Sequence, residues 1–147
     1  MVNNLITNQT PPTRCLIVQD RATNNDNNEK LIKVQDGQYE ISKRTWSFAH
    51  FSRFIRPDAY RIGVSDKSEL HSSAYLNEDG SYVVVVLNPT YKEHSVSVDL
   101  GKCSGVKKVK AYLTDQDNDV EEVEVSWRRG VATAQVTSRG LLTFKAS

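Results

Sequence analysis

Apolar residues recur along the chain first with the spacing of a helix and then with the spacing of strands. The helical part begins near Ser42, where residues three to four positions apart fall near one stripe, namely Thr45, Phe48, Ser52 and Ile55, with Trp46, Ala49 and Phe51 beside it. Such spacing is typical of an amphipathic helix, and Ser42 is a suitable N-cap residue. Pro57 ends the pattern because proline forces the preceding residue out of the α region. The pattern predicts a helix over Ser42–Ile55.

After Pro57 the period changes to that of short strands separated by turn residues. The run Ser81–Leu87 is unbroken and rich in valine, which indicates a central strand buried on both faces. The segment NEDG (Asn77–Gly80) before it predicts a hairpin turn, in which Asp-Gly supplies the positive φ. The predicted strands are Tyr60–Val64, Ser72–Leu76, Ser81–Leu87, His94–Leu100, Val109–Leu113, Val123–Trp127, Ala132–Val136 and Leu141–Ala146. About eight short strands at such regular spacing predict a mainly β fold, an antiparallel sandwich or barrel.

Less regular sequence precedes the helix. Residues 1–14 are polar and contain two prolines, so they are predicted to form a disordered arm. Cys15–Asp20 is a short apolar run of the kind found in buried strands, and the Asn-rich segment 21–30 that follows is predicted to be a loop. Leu31–Val34 is predicted to be briefly extended, with a turn at Asp36–Gln38.

Composition and charge exclude several classes of function. The 147 residues carry 19 basic and 18 acidic side chains, so no strong net charge points to nucleic acid or to an anionic membrane. No run of 18 apolar residues is present, and the N-terminus lacks the pattern of a signal peptide, which leaves the localisation open. The two cysteines, Cys15 and Cys103, are expected to be small hydrophobic residues, and whether they pair stays open.

Metal and cofactor chemistry finds little support in the sequence. The three histidines are scattered and no CxxC pair occurs, so no structural zinc site and no cofactor are predicted. The segment DQDND at 115–119 imitates the start of a calcium loop, but Val120 and Ser126 stand where glycine and glutamate are required. A hairpin turn is the better interpretation of this segment.

Two stretches carry a resemblance to a known family. The sequence WSFAHFSRFIRPDAYRIG, followed by SAYLNEDGSYVVVVLN, resembles the C-terminal part of family 30 glycoside hydrolases, in particular the endo-β-1,6-galactanase-like branch. The resemblance implies a (β/α)8 barrel joined to a β-sandwich. It implies that Cys15–Asp20 and Ser42–Ile55 are the last barrel strand and helix, and it divides the chain into a disordered arm (1–14), a barrel remnant (15–58) and a sandwich domain (59–147).

The same resemblance implies a joint between barrel and sandwich. It also implies that the family's two catalytic glutamates are not among the residues of this chain. The partner at this joint would be the barrel or, without it, a second copy of the chain. The joint residues would be Trp46, Phe48, Phe51, Arg53, Phe54, Ile55, Arg56 and Pro57. Family members use two glutamates at the ends of the fourth and seventh barrel strands, which would lie before Cys15, so no catalytic residue is assigned. Gln19 and Asp20 could form a substrate rim, or simply end a strand before the Asn-rich loop. The family's tryptophan-rich eighth strand is replaced here by Cys15–Gln19, without an aromatic residue.

Two functional hypotheses follow. The first is a catalytically incomplete portion of a family 30-like hydrolase, whose parent reaction is hydrolysis of glycosidic bonds in a polysaccharide such as β-1,6-galactan, extracellular in the parent family. The alternative is a free-standing carbohydrate-binding or protein-interaction module. A protein partner would contact the helix face of Trp46, Phe48 and Phe51. A glycan would contact exposed aromatic residues, for which the candidates are Tyr75, Tyr82, Tyr91 and Tyr112. Trp46 and Trp127 could be sugar platforms, but the apolar residues at matching spacing favour core positions.

Overall fold

A computed structural model describes residues 31–65 and 69–147 of the chain. The predicted arm over 1–14, the predicted strand Cys15–Asp20 and the rim residues Gln19 and Asp20 lie outside these described residues. The elements in chain order are β1 (Ile32–Gln35), β2 (Gln38–Ile41), α1 (Lys43–Ser52), β3 (Tyr60–Ile62), β4 (His71–Leu76), β5 (Tyr82–Leu87), β6 (His94–Asp99), β7 (Val109–Thr114), β8 (Asp119–Val123), β9 (Ser126–Arg128), β10 (Val131–Val136) and β11 (Leu141–Ala146).

Nine of the described strands form two antiparallel sheets that face each other. The larger sheet has the order β3-β4-β5-β11-β7-β8 and the smaller one β6-β10-β9. Alternate side chains of both sheets meet in one core, in which Leu142 and Phe144 of the larger sheet join Ala132 and Val136 of the smaller one. The predicted antiparallel sandwich is therefore confirmed, with most strands shifted by one or two residues at one end and one larger difference.

The larger difference concerns the predicted strand Val123–Trp127, which is two strands in different sheets. Val123 ends β8 and pairs with Ala111 of the larger sheet, whereas Trp127 lies in β9 and pairs with Ala132 of the smaller sheet. The alternating apolar positions 123, 125 and 127 all pack against the shared core. Because both sheets face that core, the period-two pattern continues while the chain crosses from one sheet to the other, and the pattern alone does not reveal the crossing.

Strand β5 is covered on both of its faces, as its unbroken apolar sequence predicted. Val84 and Val86 face the smaller sheet, while Val83 and Val85 belong to a second cluster on the opposite face. Phe54 closes that second cluster from the helix side. The larger sheet is thus the middle layer between the smaller sheet and helix α1.

Helix α1 begins and ends close to the predicted limits, but the residues that face the sheet lie mostly beside the predicted stripe, of which Ile55 alone packs against the second cluster. Trp46, Ala49 and Phe54 pack against the second cluster and His50 is completely buried, whereas Phe48 is 58% exposed. Ser42 occupies the N-cap position, yet its hydroxyl group donates to the carbonyl of Leu31 and accepts no capping hydrogen bond from the helix backbone. The pattern does not reveal His50 as a sheet-facing residue, because histidine counts as polar even where both of its ring nitrogens have buried hydrogen-bond partners.

The short hairpin before the helix matches the extended piece and turn that were predicted. Strands β1 and β2 pair in antiparallel register, and Asp36 and Gly37 between them have positive φ angles of 50° and 74°. Glycine adopts this region without strain, and aspartate tolerates it better than most residues.

Over residues 31–65 and 69–147 there is no helix with the length and apolarity that a bilayer crossing would need.

Candidate functional site at the interface of helix and sheet

His50 fastens the middle of helix α1 to the larger sheet. Its Nδ1 lies 2.6 Å from Thr143 Oγ1 on β11, and its Nε2 lies 2.9 Å from Thr114 Oγ1 on β7. The Thr114 hydroxyl oxygen also accepts a hydrogen bond of 2.9 Å from the backbone N–H of Val120. Val120 has a φ of 59°, a conformation that valine rarely adopts, so this chain of hydrogen bonds stabilises a strained position at the β7–β8 bulge.

Burial keeps the imidazole of His50 neutral. Desolvation lowers its pKa from 6.5 to about 4, since a charged ring would lose its hydration without gaining a carboxylate partner. A neutral ring donates through one nitrogen and accepts through the other, which suits two hydroxyl groups that can each do either. A doubly protonated ring would have to donate to both. The site is therefore a structural clamp that is stable in its uncharged form.

Asn77 holds the C-terminal end of the helix to the β4–β5 turn. Its side-chain nitrogen donates to the carbonyl oxygen of Phe54 at 3.0 Å and to Ser81 Oγ at 2.9 Å. Its side-chain oxygen accepts a 3.0 Å hydrogen bond from the backbone N–H of Arg56. Only 3% of Asn77 is exposed, so these bonds are made in a nearly dry environment and fix where the chain leaves the helix.

Neither His50 nor Asn77 was proposed as a functional residue from the sequence. Their partners are far away along the chain, with Thr143 lying 93 positions after His50. Asn77 was assigned only to the NEDG turn. A weak signal was available for His50, because it lies one helical turn before Phe54 on the side that the sheet covers.

The predicted aromatic and aliphatic joint residues lie on helix α1 and on the segment directly after it, and they fall into two groups. Trp46, Phe54 and Ile55 pack inward, and the Phe54 ring lies 4.6 Å from the ring of Tyr112 on β7, centroid to centroid. Phe48 and Phe51 face outward and are 58% and 40% exposed. The structure thus places both groups on one short segment, but it brings only the inward group into contact with the sandwich.

The predicted anchoring arginines have different roles, and Pro57 is exposed beyond them. The guanidinium carbon of Arg53 lies 5.5 Å from the Phe54 ring centre and 5.8 Å from that of Tyr112, so it covers both rings. Arg56 is held mainly through its backbone N–H, by Asn77. Arg53 therefore anchors the helix through its side chain, whereas Arg56 does so through its main chain.

The carboxylates of the described residues serve turns and ion pairs, and every described glutamate is exposed. Asp119 Oδ1 lies 2.6 Å from Lys43 Nζ, and Asp115 accepts hydrogen bonds from the 117–118 turn and from Thr137. Burial raises the pKa of Asp115, but hydrogen bonds from Thr137, Asn118 and Asp117 outweigh it and lower the pKa overall. Residues 115–118 are thus a turn between β7 and β8, and Asp119 begins β8. The described part of the chain holds no group of three or more His, Cys, Asp or Glu side chains able to bind a metal.

The aromatic residues proposed as sugar contacts differ in their exposure. Tyr75 and Tyr112 pack against the cluster under the helix, and Tyr82 packs against the core between the sheets. Trp46 and Trp127 are partly buried against these clusters, as favoured from their spacing. Tyr91 differs from all of these because it is 84% exposed.

Comparison with known proteins gives one matching family. A model of the glycosyl hydrolase family 30 beta sandwich domain matches residues 58–144. Among curated proteins, Putative glucosylceramidase 1 of Caenorhabditis elegans is 44% identical over an alignment of 59 residues that covers 36% of this chain and 11% of that protein. The chain therefore spans about a tenth of the length of this relative.

Solved structures agree with the sequence comparison. The catalytic domain of the GH30 xylanase C from Talaromyces cellulolyticus superposes with a TM-score of 0.71 at 31% identity, over 80% of this chain and 27% of that one. The family 30 subfamily 8 xylanase from Clostridium acetobutylicum gives a TM-score of 0.71 at 21% identity, over 80% of this chain and 30% of that one, which shows a shared fold. In both proteins the matched part is less than a third of the chain.

Proposed function

The chain belongs to glycosyl hydrolase family 30, as the β-sandwich domain of that family, and we propose that it is the non-catalytic portion of an O-glycosyl hydrolase that acts on polysaccharide. Its role in this proposal is to dock a (β/α)8 barrel through the outward side of helix α1. The observation that carries the proposal is the arrangement of that helix, which is clamped to the sandwich by His50 and Asn77 while Phe48 and Phe51 remain outside.

The chemistry of the described carboxylates supports a non-catalytic role. A retaining glycosidase needs two carboxyl groups about 5 Å apart, one of them an acid whose pKa is raised by its surroundings. The glutamates described here are all exposed, and hydrogen bonding to Ser81 lowers the pKa of Asp79. We expect the 147-residue chain to release no reducing sugar from β-1,6-galactan, xylan or β-1,6-glucan above a heat-treated control. Turnover above that control would contradict this part of the proposal.

The substrate of the parent enzyme is proposed as a β-linked polysaccharide. Sequence resemblance favours β-1,6-galactan, while the relative from Talaromyces cellulolyticus is named a xylanase. The docking of this chain to a barrel, and not the substrate, is tested by a chimera in which residues 31–147 replace the matched portion of that xylanase. We expect a soluble chimera with xylanase activity, in which this domain stabilises the foreign barrel.

The matched control uses two sets of substitutions in the chimera. Replacing Phe48 and Phe51 together by serine should lower the soluble yield and the activity, because an apolar contact with the barrel would be lost. Replacing the exposed Tyr39 by serine should change neither. Equal behaviour of both variants would contradict docking through the outward side of α1. In the isolated chain, self-association that the Phe48 and Phe51 substitutions abolish would be the expected consequence of the same uncovered surface.

A further inference from the structure

Tyr91 lies on a loop between β5 and β6 that is fixed by a buried asparagine. Asn88 is fully buried, and its side-chain nitrogen donates to the carbonyl oxygens of Lys92 and Thr137, both at 2.7 Å. Its side-chain oxygen accepts from the backbone N–H and the hydroxyl group of Thr90, at 3.0 and 2.8 Å. The loop is therefore preorganised, and Tyr91 is presented from a rigid backbone although its own ring is 84% exposed.

Arg139 covers one face of this ring. Its guanidinium carbon lies 5.4 Å from the ring centre of Tyr91, and its backbone N–H donates to the carbonyl oxygen of Thr90 at 3.0 Å. Arg139 has a φ of 56°, in the left-handed region that a residue with a Cβ enters at a cost. One face of the tyrosine is thus held against a cation, which leaves the opposite face toward solvent.

We infer that Tyr91, backed by Arg139, is a stacking platform for a sugar ring of a polysaccharide chain. The C–H groups on one face of a pyranose complement an aromatic ring, and the guanidinium and the phenol can bond to its hydroxyl groups. Two polar residues, Thr90 and Lys92, flank Tyr91 along the chain, and such neighbours are more typical of a glycan contact than of the apolar centre of a protein interface. A glycan suits the site better than a protein surface.

The position of the platform fits a polysaccharide that continues beyond a barrel. Strand pairing places the end of β5, the end of β7 and the start of β11 at one end of the sandwich, since Leu141 pairs with both Leu87 and Thr114. Lys43 at the start of α1 reaches Asp119 at that same end. In barrels the helices start at the edge that carries the active-site loops, so a joined barrel would turn that edge toward this end. This last step rests on the proposed docking, whereas the stacking itself does not.

Affinity electrophoresis of the 147-residue chain through gels that contain xylan, β-1,6-glucan or β-1,6-galactan tests the platform without any barrel. We expect at least one polysaccharide to retard the native chain. Tyr91→Ala should weaken that binding about tenfold or more, Tyr91→Phe should largely retain it, and Arg139→Ala should weaken it less than Tyr91→Ala. The matched control is Tyr60→Ala, because Tyr60 is 72% exposed and, within the described residues, no arginine covers its ring.

Two results would overturn the inference. One is the absence of retardation by all three polysaccharides, and the other is retardation that Tyr91→Ala leaves unchanged or that Tyr60→Ala reduces equally. Amide chemical shifts of the native chain, titrated with oligosaccharides of the retarding polymer, give a reading that does not depend on the folding of any variant. Changes should be centred on residues 88–94 and 137–140, and changes centred elsewhere would reject the site. Failure here leaves the docking proposal intact, because the xylanase chimera tests that proposal separately.

Discussion

Helix α1 presents two sides that differ in what contacts them. The inward side carries His50, both of whose ring nitrogens have hydroxyl partners, and the segment that continues the helix adds Phe54, which is 4% exposed. The outward side carries Phe48 and Phe51, which the described residues leave 58% and 40% exposed. Similar aromatic residues on one short helix thus have opposite environments. Burial and hydrogen bonding, rather than residue type, decide which side stabilises this fold and which side is available to a partner.

The largest expected difference between the two sides comes from truncating one phenylalanine on each. Phe54→Ala should lower the free energy of unfolding by about 3–5 kcal/mol, because it removes a buried ring and leaves a cavity under the helix. Phe48→Ala should change it by less than about 0.5 kcal/mol in the isolated chain, since this side chain is mostly exposed. Urea unfolding followed by tryptophan fluorescence measures both. Similar losses for the two variants would show that the helix does not pack as described.

The next largest effect concerns acid pH and His50. Its pKa falls from 6.5 in an unfolded chain to about 4 in the folded one, so between these values the unfolded state binds more protons. The contribution of neutral His50 to the free energy of unfolding should therefore be fully present above about pH 6.5 and decline as the pH falls toward 4. The loss should reach at most about 3 kcal/mol, since each pKa unit corresponds to about 1.4 kcal/mol.

Urea unfolding of the native chain at several pH values between 7.5 and 4 measures this dependence. His50→Gln should be less stable than the native chain at neutral pH and should lose most of the slope between pH 6.5 and 4. His71→Gln serves as the matched control, because His71 is exposed at the start of β4 and its replacement should preserve the slope. A slope that survives in His50→Gln would assign the acid sensitivity to another group.

Asn77 gives a smaller effect at the far end of the helix. Asn77→Ala removes the hydrogen bonds to Phe54, Arg56 and Ser81 and leaves a buried N–H and carbonyl without their partner, which should cost about 1–3 kcal/mol. Glu78→Ala, at the exposed next position, should be within about 0.5 kcal/mol of the native chain. Thermal unfolding of the two variants side by side would separate loss of the clamp from a general effect on the turn. A loss in Glu78→Ala as large as in Asn77→Ala would contradict the assigned role.

The contrast between the two sides of helix α1 also shows which features of the structure can be predicted from the sequence alone. The strands were predictable because alternation is local, and the valines of β5 report burial on both faces without reference to any other segment. The side of the helix that faces the sheet was not predictable from spacing, because it depends on His50 meeting Thr114 and Thr143 from distant strands. The crossing between β8 and β9 was hidden for the related reason that both sheets share one core. The sequence pattern likewise does not show that the loop carrying the exposed Tyr91 is held in place, because this depends on the hydrogen bond from Asn88 to the distant Thr137.

The smallest expected effect belongs to the ion pair that joins the start of the helix to β8. Lys43 Nζ and Asp119 Oδ1 are 2.6 Å apart, but the two side chains are 49% and 41% exposed, so water screens much of their attraction. A double-mutant cycle with Lys43→Ala and Asp119→Ala should give a coupling energy of about 0.2–1 kcal/mol that declines when salt is raised from low ionic strength to about 1 M. The pair Lys110 and Glu122, also at the surface, provides a matched cycle away from the helix. A coupling above about 2 kcal/mol for Lys43 and Asp119 would show that the ion pair, and not the buried side of α1, positions the helix.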